Sequence, residues 1–159
     1  MKKNSELATE VVRLLKKKKL TLATAESITG GGLSAAITDV AGSSEVFLGG
    51  IVSYSDSAKT KFLEVPKRIL TKESAVSESV ARLMAESVRT QFKSDFAIAT
   101  TGVAGPGKAY GQKAGTAWIA ISSKAETIAI ALDISGDRPT VRHATIESAL
   151  ATFARILIS

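Results

Sequence analysis

The chain of 159 residues contains no cysteine. Disulfides, thiolate zinc sites and a cysteine nucleophile are therefore excluded. Aromatic residues are scarce, at 5% of the chain, which argues against a surface that stacks on nucleic-acid bases. Histidine occurs once, at His143, and no cluster of His, Asp and Glu has the spacing of metal ligands. We therefore expect neither a metal nor another cofactor.

Long hydrophobic runs are also missing from the sequence. Residues 1–10 are polar and of mixed charge, unlike a signal peptide, and no segment is long enough to cross a bilayer. We therefore expect a cytoplasmic protein with no membrane partner. The length and the 45% apolar content suit one domain over residues 1–159, with a core that needs no cross-links.

Acidic residues are outnumbered by basic ones, which gives a formal net charge of +6. The one long basic run, Lys16 to Lys19, stands where a first helix should end, and the helix dipole favours cations there. Weakly clustered charge with few aromatics disfavours nucleic acid as a partner. The same positive field would attract a small anionic ligand.

Hydrophobic periodicity alternates between strand and helix along the chain. Strands are predicted at residues 20–26, 49–54, 95–100, 116–122 and 127–133, with helical spacing before and between the first three and again at the C-terminus. The link between the last two strands is too short for a parallel crossover, so they should form an antiparallel hairpin. We predict an α/β fold: a three-layer α/β/α sandwich with a mixed, mainly parallel sheet and a C-terminal antiparallel hairpin.

Three loops follow the first three predicted strands, at residues 26–31, 53–55 and 101–106. In an open α/β sheet, ligands bind at the carboxyl ends of the strands, where such loops converge. Glycine in a loop lets the backbone approach a ligand closely. None of the loops matches an established phosphate-binding motif, so each alone is weak evidence. Together they predict a ligand site at this edge of the sheet.

Short motifs in a fixed order cover nearly the whole chain and resemble the CinA C-terminal family. They are AESxTGG at 25–31, AGSS at 41–44, VSYSxxAK at 52–59, AVS at 75–77, TGVAGP at 101–106, GTAW at 115–118 and GDR at 136–138 with Arg142. The resemblance implies an amidohydrolase that converts nicotinamide mononucleotide to nicotinate mononucleotide and ammonia, a step of pyridine nucleotide salvage. It also implies the stand-alone form, without the larger domain that often precedes this one.

Amide hydrolysis needs an activated nucleophile, a proton for the departing ammonia and donors for the oxyanion. With no cysteine, and with His143 on the polar face of a helix, a serine activated by a lysine is the chemistry to expect. The resemblance carries the serine role to Ser44 and the base role to Lys59, with Tyr54 beside them. The sequence leaves open whether Ser27 or Ser44 attacks. A lysine base must be neutral for part of the time, which burial favours by lowering its pKa.

The resemblance also implies a set of substrate-binding residues. Ser27 would bind or orient the substrate, and the backbone of the first glycine turn would hold an oxyanion or the phosphate. Arg142 and Arg138 suit a phosphate, because a guanidinium can donate to two of its oxygens. The full set is Ser27, Thr29, Gly30, Gly31, Thr101, Gly102, Arg138 and Arg142.

Three features depart from the family pattern. Ile28 stands where the family commonly has cysteine, so no chemistry is expected at that position. Asp56 stands where asparagine is usual, and its negative charge should raise the pKa of Lys59. The loop 107–114 lacks the acidic, proline-containing character of the family version, so the resemblance does not specify substrate contacts there.

A function of another class fits the same resemblance: a non-catalytic module that binds a nucleotide or a protein partner, in line with the family's link to competence and DNA damage. The amidase hypothesis predicts that Ser44, Tyr54 and Lys59 meet in one pocket beside a phosphate site. The binding-module hypothesis predicts a pocket with no serine and lysine in contact, or a basic surface that binds DNA with a strong dependence on salt. A homo-oligomer is compatible with both, and the sequence does not specify one.

Overall fold

A computed structural model describes residues 4–159, and residues 1–3 lie outside it. Within that range the chain forms six helices and five strands. The helices are α1 Asn4–Lys18, α2 Gly32–Thr38, α3 Asp56–Leu63, α4 Lys67–Glu73, α5 Glu78–Phe92 and α6 Arg138–Ile158. The strands are β1 Leu22–Glu26, β2 Phe47–Val52, β3 Phe96–Gly102, β4 Thr116–Ser123 and β5 Thr127–Asp133, and a one-turn 3-10 helix, Ser43–Glu45, precedes β2.

The strands form one sheet in the order β2-β1-β3-β4-β5. β2, β1 and β3 run parallel, whereas β4 pairs antiparallel with both β3 and β5. Residues 124–126 are the whole link between β4 and β5, which leaves room only for a hairpin. The structure therefore confirms the predicted α/β fold with its mixed sheet and C-terminal hairpin.

Helices cover both faces of the sheet because the strands are apolar on both sides. On one face α1, α2 and α6 pack on large side chains such as Leu22 and Ile98. On the other face the neighbouring strand positions are alanines, including Ala23 and Ala97, and α5 packs against them. This alternation follows from the two-residue period of a strand. The small residues on the α5 face leave room for that helix beside the sheet.

Element boundaries differ from the prediction at β2 and after Pro66, among other places. β2 begins at Phe47 and ends at Val52, so Ser53 and Tyr54 lie beyond the strand. Pro66 is predicted to interrupt the helical periodicity, but helix α4 begins directly after it. Proline lacks an N–H and is well suited to a helix start. Among residues 4–159, no helix has the length and apolar character needed to span a bilayer.

Candidate active site

The three predicted loops do meet at the carboxyl edge of the parallel strands. The Ser27 N–H donates to the Thr100 carbonyl at 2.9 Å, and the Ser53 N–H donates to the Glu26 carbonyl at 2.8 Å. These bonds extend the parallel pairing of β1 with both neighbours by one residue. Sheet register therefore places Ser27 and Ser53 side by side.

Lys59 is held against Ser27 by the geometry of α3. The Ser55 side chain caps this helix by accepting from the Ala58 N–H, so that Lys59 follows on its first turn. Its Nζ donates to Ser27 Oγ at 2.9 Å and to the Ser53 carbonyl at 2.9 Å. The side chain is only 1% exposed, which is rare for a lysine without a carboxylate partner.

Burial changes the acid–base chemistry of this lysine. It lowers the pKa of Lys59 from 10.5 to about 8, while the charge of Asp56 acts in the opposite direction. The expected effect of Asp56 is thus confirmed in sign, but desolvation outweighs it. With a pKa near 8, roughly a tenth of the lysine is neutral at pH 7, compared with well under a thousandth for an ordinary lysine. A neutral amine in contact with a hydroxyl can take its proton.

Ser44 does not join this group, so the predicted contact between Ser44 and Lys59 is wrong. Ser44 is exposed in the 3-10 helix that precedes β2, whereas Lys59 lies beyond the carboxyl end of that strand. The six residues of β2 alone separate the two ends of the strand by about 20 Å. A signal was available in the sequence, because loops before and after a parallel strand lie at opposite edges of the sheet.

A cavity of about 270 Å³ opens beside Ser27. Its volume is close to the lower end of the range of about 300–1,000 Å³ for small-molecule sites. Arg138 crosses it, donating from Nη1 to the Gly105 carbonyl and from Nη2 to Tyr54 Oη, each at 2.7 Å. Of the predicted site residues, the cavity brings together Ser27, Tyr54, Gly102 and Arg138.

The other predicted binding residues lie outside this cavity. The hydroxyls of Thr29 and Thr101 are buried, and they bond to Glu26 and to the Ala75 carbonyl. Gly30 and Gly31 form the turn into α2 with φ of 58° and 99°, values that suit glycine. Arg142 donates to the backbone carbonyls of Ile28 and Thr29, and it lines a different cavity.

Among the cavity-wall residues outside the predicted set, Lys108 and Tyr110 carry polar side chains. Both belong to the loop 107–114, in which the sequence departs from the family pattern. Lys108 adds a second cation beside Arg138, and burial raises the pKa of the Tyr110 phenol. A lysine and a tyrosine in a loop that follows a glycine-rich strand end were the available signal. The wall thus combines cations with aromatic rings.

Glu26, the residue before Ser27, is completely buried. Its Oε1 accepts from Thr29 Oγ1 at 2.6 Å and from the Leu33 N–H at 2.8 Å. Its Oε2 accepts from the Ser34 N–H at 2.9 Å and from Ser34 Oγ at 2.6 Å. The carboxylate therefore occupies the start of α2, which had been expected to bind a phosphate or an oxyanion. It also closes the turn that carries Ser27.

Replacing Glu26 with glutamine is expected to lower the free energy of unfolding by about 2–4 kcal/mol, because the new amide would present N–H donors to a site filled by four donors. Urea denaturation measures this loss. Glu45→Gln is the matched control, since Glu45 is 65% exposed and pairs with Lys16 only at the surface. A loss in Glu26→Gln no larger than in the control would contradict the assigned role.

No group of three or more His, Asp and Glu side chains in residues 4–159 is arranged to hold a metal ion.

A sequence model described as the CinA C-terminal domain matches residues 4–157. The chain belongs to this family. A CinA-like protein of Geobacter sulfurreducens is 41% identical over 157 residues, and another of Syntrophus aciditrophicus is 46% identical over 149 residues. These alignments cover 98% and 92% of the chain but 38% and 36% of the two relatives. The chain thus spans well under half the length of these CinA-like proteins.

Solved structures of the CinA superfamily agree with the fold. The crystal structure of competence damage-inducible protein A from Klebsiella pneumoniae superposes with a TM-score of 0.96 at 35% identity, covering 99% of this chain and 98% of that one. The agreement extends over all the elements that build the Ser27–Lys59 site. The name of the Klebsiella protein refers to competence and damage rather than to a reaction.

Proposed function

We propose that the protein is an amidohydrolase that deamidates nicotinamide mononucleotide to nicotinate mononucleotide, with Ser27 as nucleophile and Lys59 as general base. The observation that carries the proposal is the 2.9 Å contact between Lys59 Nζ and Ser27 Oγ, formed by a buried lysine of lowered pKa beside an open cavity. The non-catalytic alternative predicted either a pocket without such a contact, which counts against it, or a DNA-binding surface, which the scarcity of aromatic residues disfavours.

The reaction would proceed in two halves. Neutral Lys59 takes the Ser27 hydroxyl proton as Oγ attacks the carboxamide carbon. The C–N bond then breaks, and the Lys59 ammonium returns that proton to the departing nitrogen, releasing ammonia and leaving an ester on Ser27. Water attacks this ester with Lys59 again as base. The C–O bond to Ser27 breaks, nicotinate mononucleotide leaves, and the hydroxyl and the amine are restored.

Charge and aromatic surface in the cavity support a nucleotide substrate. Arg138 and Lys108 would pair with the phosphate, for which a guanidinium offers two parallel donors. The pyridinium ring of the substrate carries a positive charge, and the faces of Tyr54 and Tyr110 would favour it through cation–π attraction. One ligand with an anionic end and a cationic ring suits both parts of the wall.

The test of this proposal is ammonia release by the purified chain from nicotinamide mononucleotide and, in parallel, from nicotinamide riboside. The proposal expects turnover of the phosphorylated compound and much poorer turnover of the riboside, because the latter cannot engage Arg138 and Lys108. Well-folded protein that releases no ammonia from the mononucleotide would overturn the proposal. Equal rates for both compounds would overturn the phosphate assignment alone.

The rate should depend on pH through Lys59. Because burial lowers the pKa of Lys59 to about 8, kcat/KM should rise about tenfold per pH unit below that value and level off above it. Initial rates of ammonia release between pH 6 and 9.5 measure this profile. Asp56→Asn removes a charge that raises the pKa, so its profile should shift toward lower pH. A flat profile below pH 8 would contradict lysine as the base.

A further inference from the structure

Residues 109–112, in the loop beside the Ser27 cavity, form a tight β-turn. The Ala109 N–H donates to the Gln112 carbonyl at 3.1 Å, and the Gln112 N–H donates to the Ala109 carbonyl at 2.9 Å. Between them Tyr110 and Gly111 have φ of 52° and 73°, and positive φ at both central residues is the mark of a type I′ turn. A bulky side chain is uncommon at positive φ, so the needs of the turn do not explain a tyrosine there.

Two side chains fasten this turn to the segment 74–76 that precedes α5. Ser74 Oγ donates to the Tyr110 carbonyl at 3.3 Å and accepts from the Val76 N–H at 3.2 Å. The Gln112 side chain donates from Nε2 to the Val76 carbonyl. The turn is therefore held from both sides, and Tyr110 stands on a fixed support rather than on a free loop.

Tyr110 lines the cavity wall together with Tyr54. Burial, followed by the charges of Asp56 and Tyr54, raises the pKa of the Tyr110 phenol, so the phenol stays neutral over the pH range of an activity assay. The influence of these two charges also requires both groups to lie near the phenol. Tyr110 nevertheless keeps 48% of its surface exposed, which leaves an aromatic surface open to a ligand in the cavity.

A cation already lies beside the other tyrosine of the wall. Arg138 Nη2 donates to Tyr54 Oη at 2.7 Å, and this guanidinium would repel a second cation placed there. Tyr110 has no such partner, because the cation–π contact found within residues 4–159 joins Lys61 and Phe62. The face of Tyr110 is therefore the better position in this wall for a cationic ring.

We propose that Tyr110 is a specificity-determining residue that makes the chain prefer a cationic ring to a neutral ring of the same shape, with Gln112 as its positioning residue. The inference rests on the proposed function, and it names the feature of the substrate that the site recognises besides the phosphate. An aromatic face attracts a cation, and the attraction adds most to affinity when the ring is held in place beforehand. Because residues 107–114 depart from the family pattern, the preference is assigned to this chain alone.

The first test compares nicotinamide mononucleotide with its reduced form, which keeps the phosphate, ribose and carboxamide but has an uncharged ring. Calorimetry on Ser27→Ala, in which no ester can form, should give a dissociation constant about fivefold lower for the cationic form. Tyr110→Phe in this background keeps the aromatic face and should keep the preference. Tyr110→Leu should reduce the preference to less than about twofold. A preference that survives Tyr110→Leu unchanged would overturn the proposal.

Asp56 is the competing source of a preference for a cation, because its carboxylate lies near the same phenol. Asp56→Asn, again in Ser27→Ala, should retain at least about a threefold preference for the cationic form, since the face of Tyr110 remains. If Asp56→Asn abolishes the preference while Tyr110→Leu leaves it intact, the carboxylate and not the ring is responsible, and the proposal is wrong.

A double-mutant cycle tests the positioning role of Gln112. Gln112→Leu releases the turn from the Val76 carbonyl and should lower the preference to about twofold, but it should change nothing further when added to Tyr110→Leu. Lys113→Leu is the matched control in the same loop, since Lys113 is 67% exposed and pairs with Asp133 at the surface, and it should keep the full preference. An equal loss from Gln112→Leu with and without Tyr110 would contradict positioning.

Binding and turnover keep this inference apart from the proposed function. If Ser27→Ala shows the Tyr110-dependent preference but the unmodified chain releases no ammonia, the reaction assignment fails and the specificity role of Tyr110 stands. If ammonia is released and neither form of the nucleotide is preferred, the proposed function stands and the inference is overturned. If neither form binds to well-folded protein, both are overturned.

Discussion

Replacing Ser27 with alanine is expected to lower ammonia release from nicotinamide mononucleotide by at least about 10³-fold, whereas Ser44→Ala should stay within about twofold of the unmodified chain. Ser27 Oγ is the only hydroxyl that contacts Lys59 Nζ within residues 4–159, and it lies in the cavity wall. Ser44 is exposed at the other edge of the sheet. Without Oγ no ester can form, and the remaining rate is that of water attack in the same cavity.

Single-turnover measurement of ammonia release checks this expectation, with the thermal melt of each variant as a control for folding. The alanine methyl group fits in the space of the serine hydroxymethyl group, so Ser27→Ala should fold. Lys59 Nζ then loses one hydrogen-bond acceptor. Ser44→Ala is the matched control because it makes the same chemical change at a distant turn. Full activity of Ser27→Ala together with an inactive Ser44→Ala would reverse the assignment of the nucleophile.

Replacing Lys59 with methionine is expected to reduce activity by at least about 10³-fold, because methionine has a similar length but cannot accept a proton. Lys59→Arg should be equally inactive, since a guanidinium stays protonated at any pH used for the assay. Both variants should also stop fluorophosphonate labelling of Ser27. A normal labelling rate in Lys59→Met would contradict the base role, even if ammonia release were slow.

Lys59→Met should also change how the free energy of unfolding depends on pH. The pKa of Lys59 is about 8 in the folded chain, and its ordinary value of 10.5 applies in the unfolded chain. Between pH 8 and pH 10.5 the unfolded chain therefore binds more protons than the folded chain. The unmodified chain should therefore gain stability as pH rises from 8 to 10.5, by about 3 kcal/mol in total. Lys59→Met should lack this gain, and urea denaturation across that range measures the difference.

The location of the site could be predicted from local sequence patterns, whereas the contact between Ser27 and Lys59 could not. Glycine turns that end short strands, as at Gly30 and Gly102, are visible in the sequence, and the carboxyl edge of a parallel sheet gathers them. The sequence left both Ser27 and Ser44 as candidate nucleophiles and grouped Ser44 with Lys59, because motif similarity says nothing about which edge of the sheet a residue occupies. The position of Ser44 before β2, rather than after it, carried that information.

By itself the sequence determined the family, the α/β architecture, the hairpin at residues 116–133 and the convergence of three loops, because periodicity, turns and motif order are properties of neighbouring residues. Only the tertiary structure decided that Ser27 contacts Lys59, that burial lowers the pKa of this lysine, and that Arg142 holds the Ile28–Thr29 loop. These facts depend on which elements pack against each other, and contacts and desolvation between residues 32 or 114 positions apart arise only after the chain has folded.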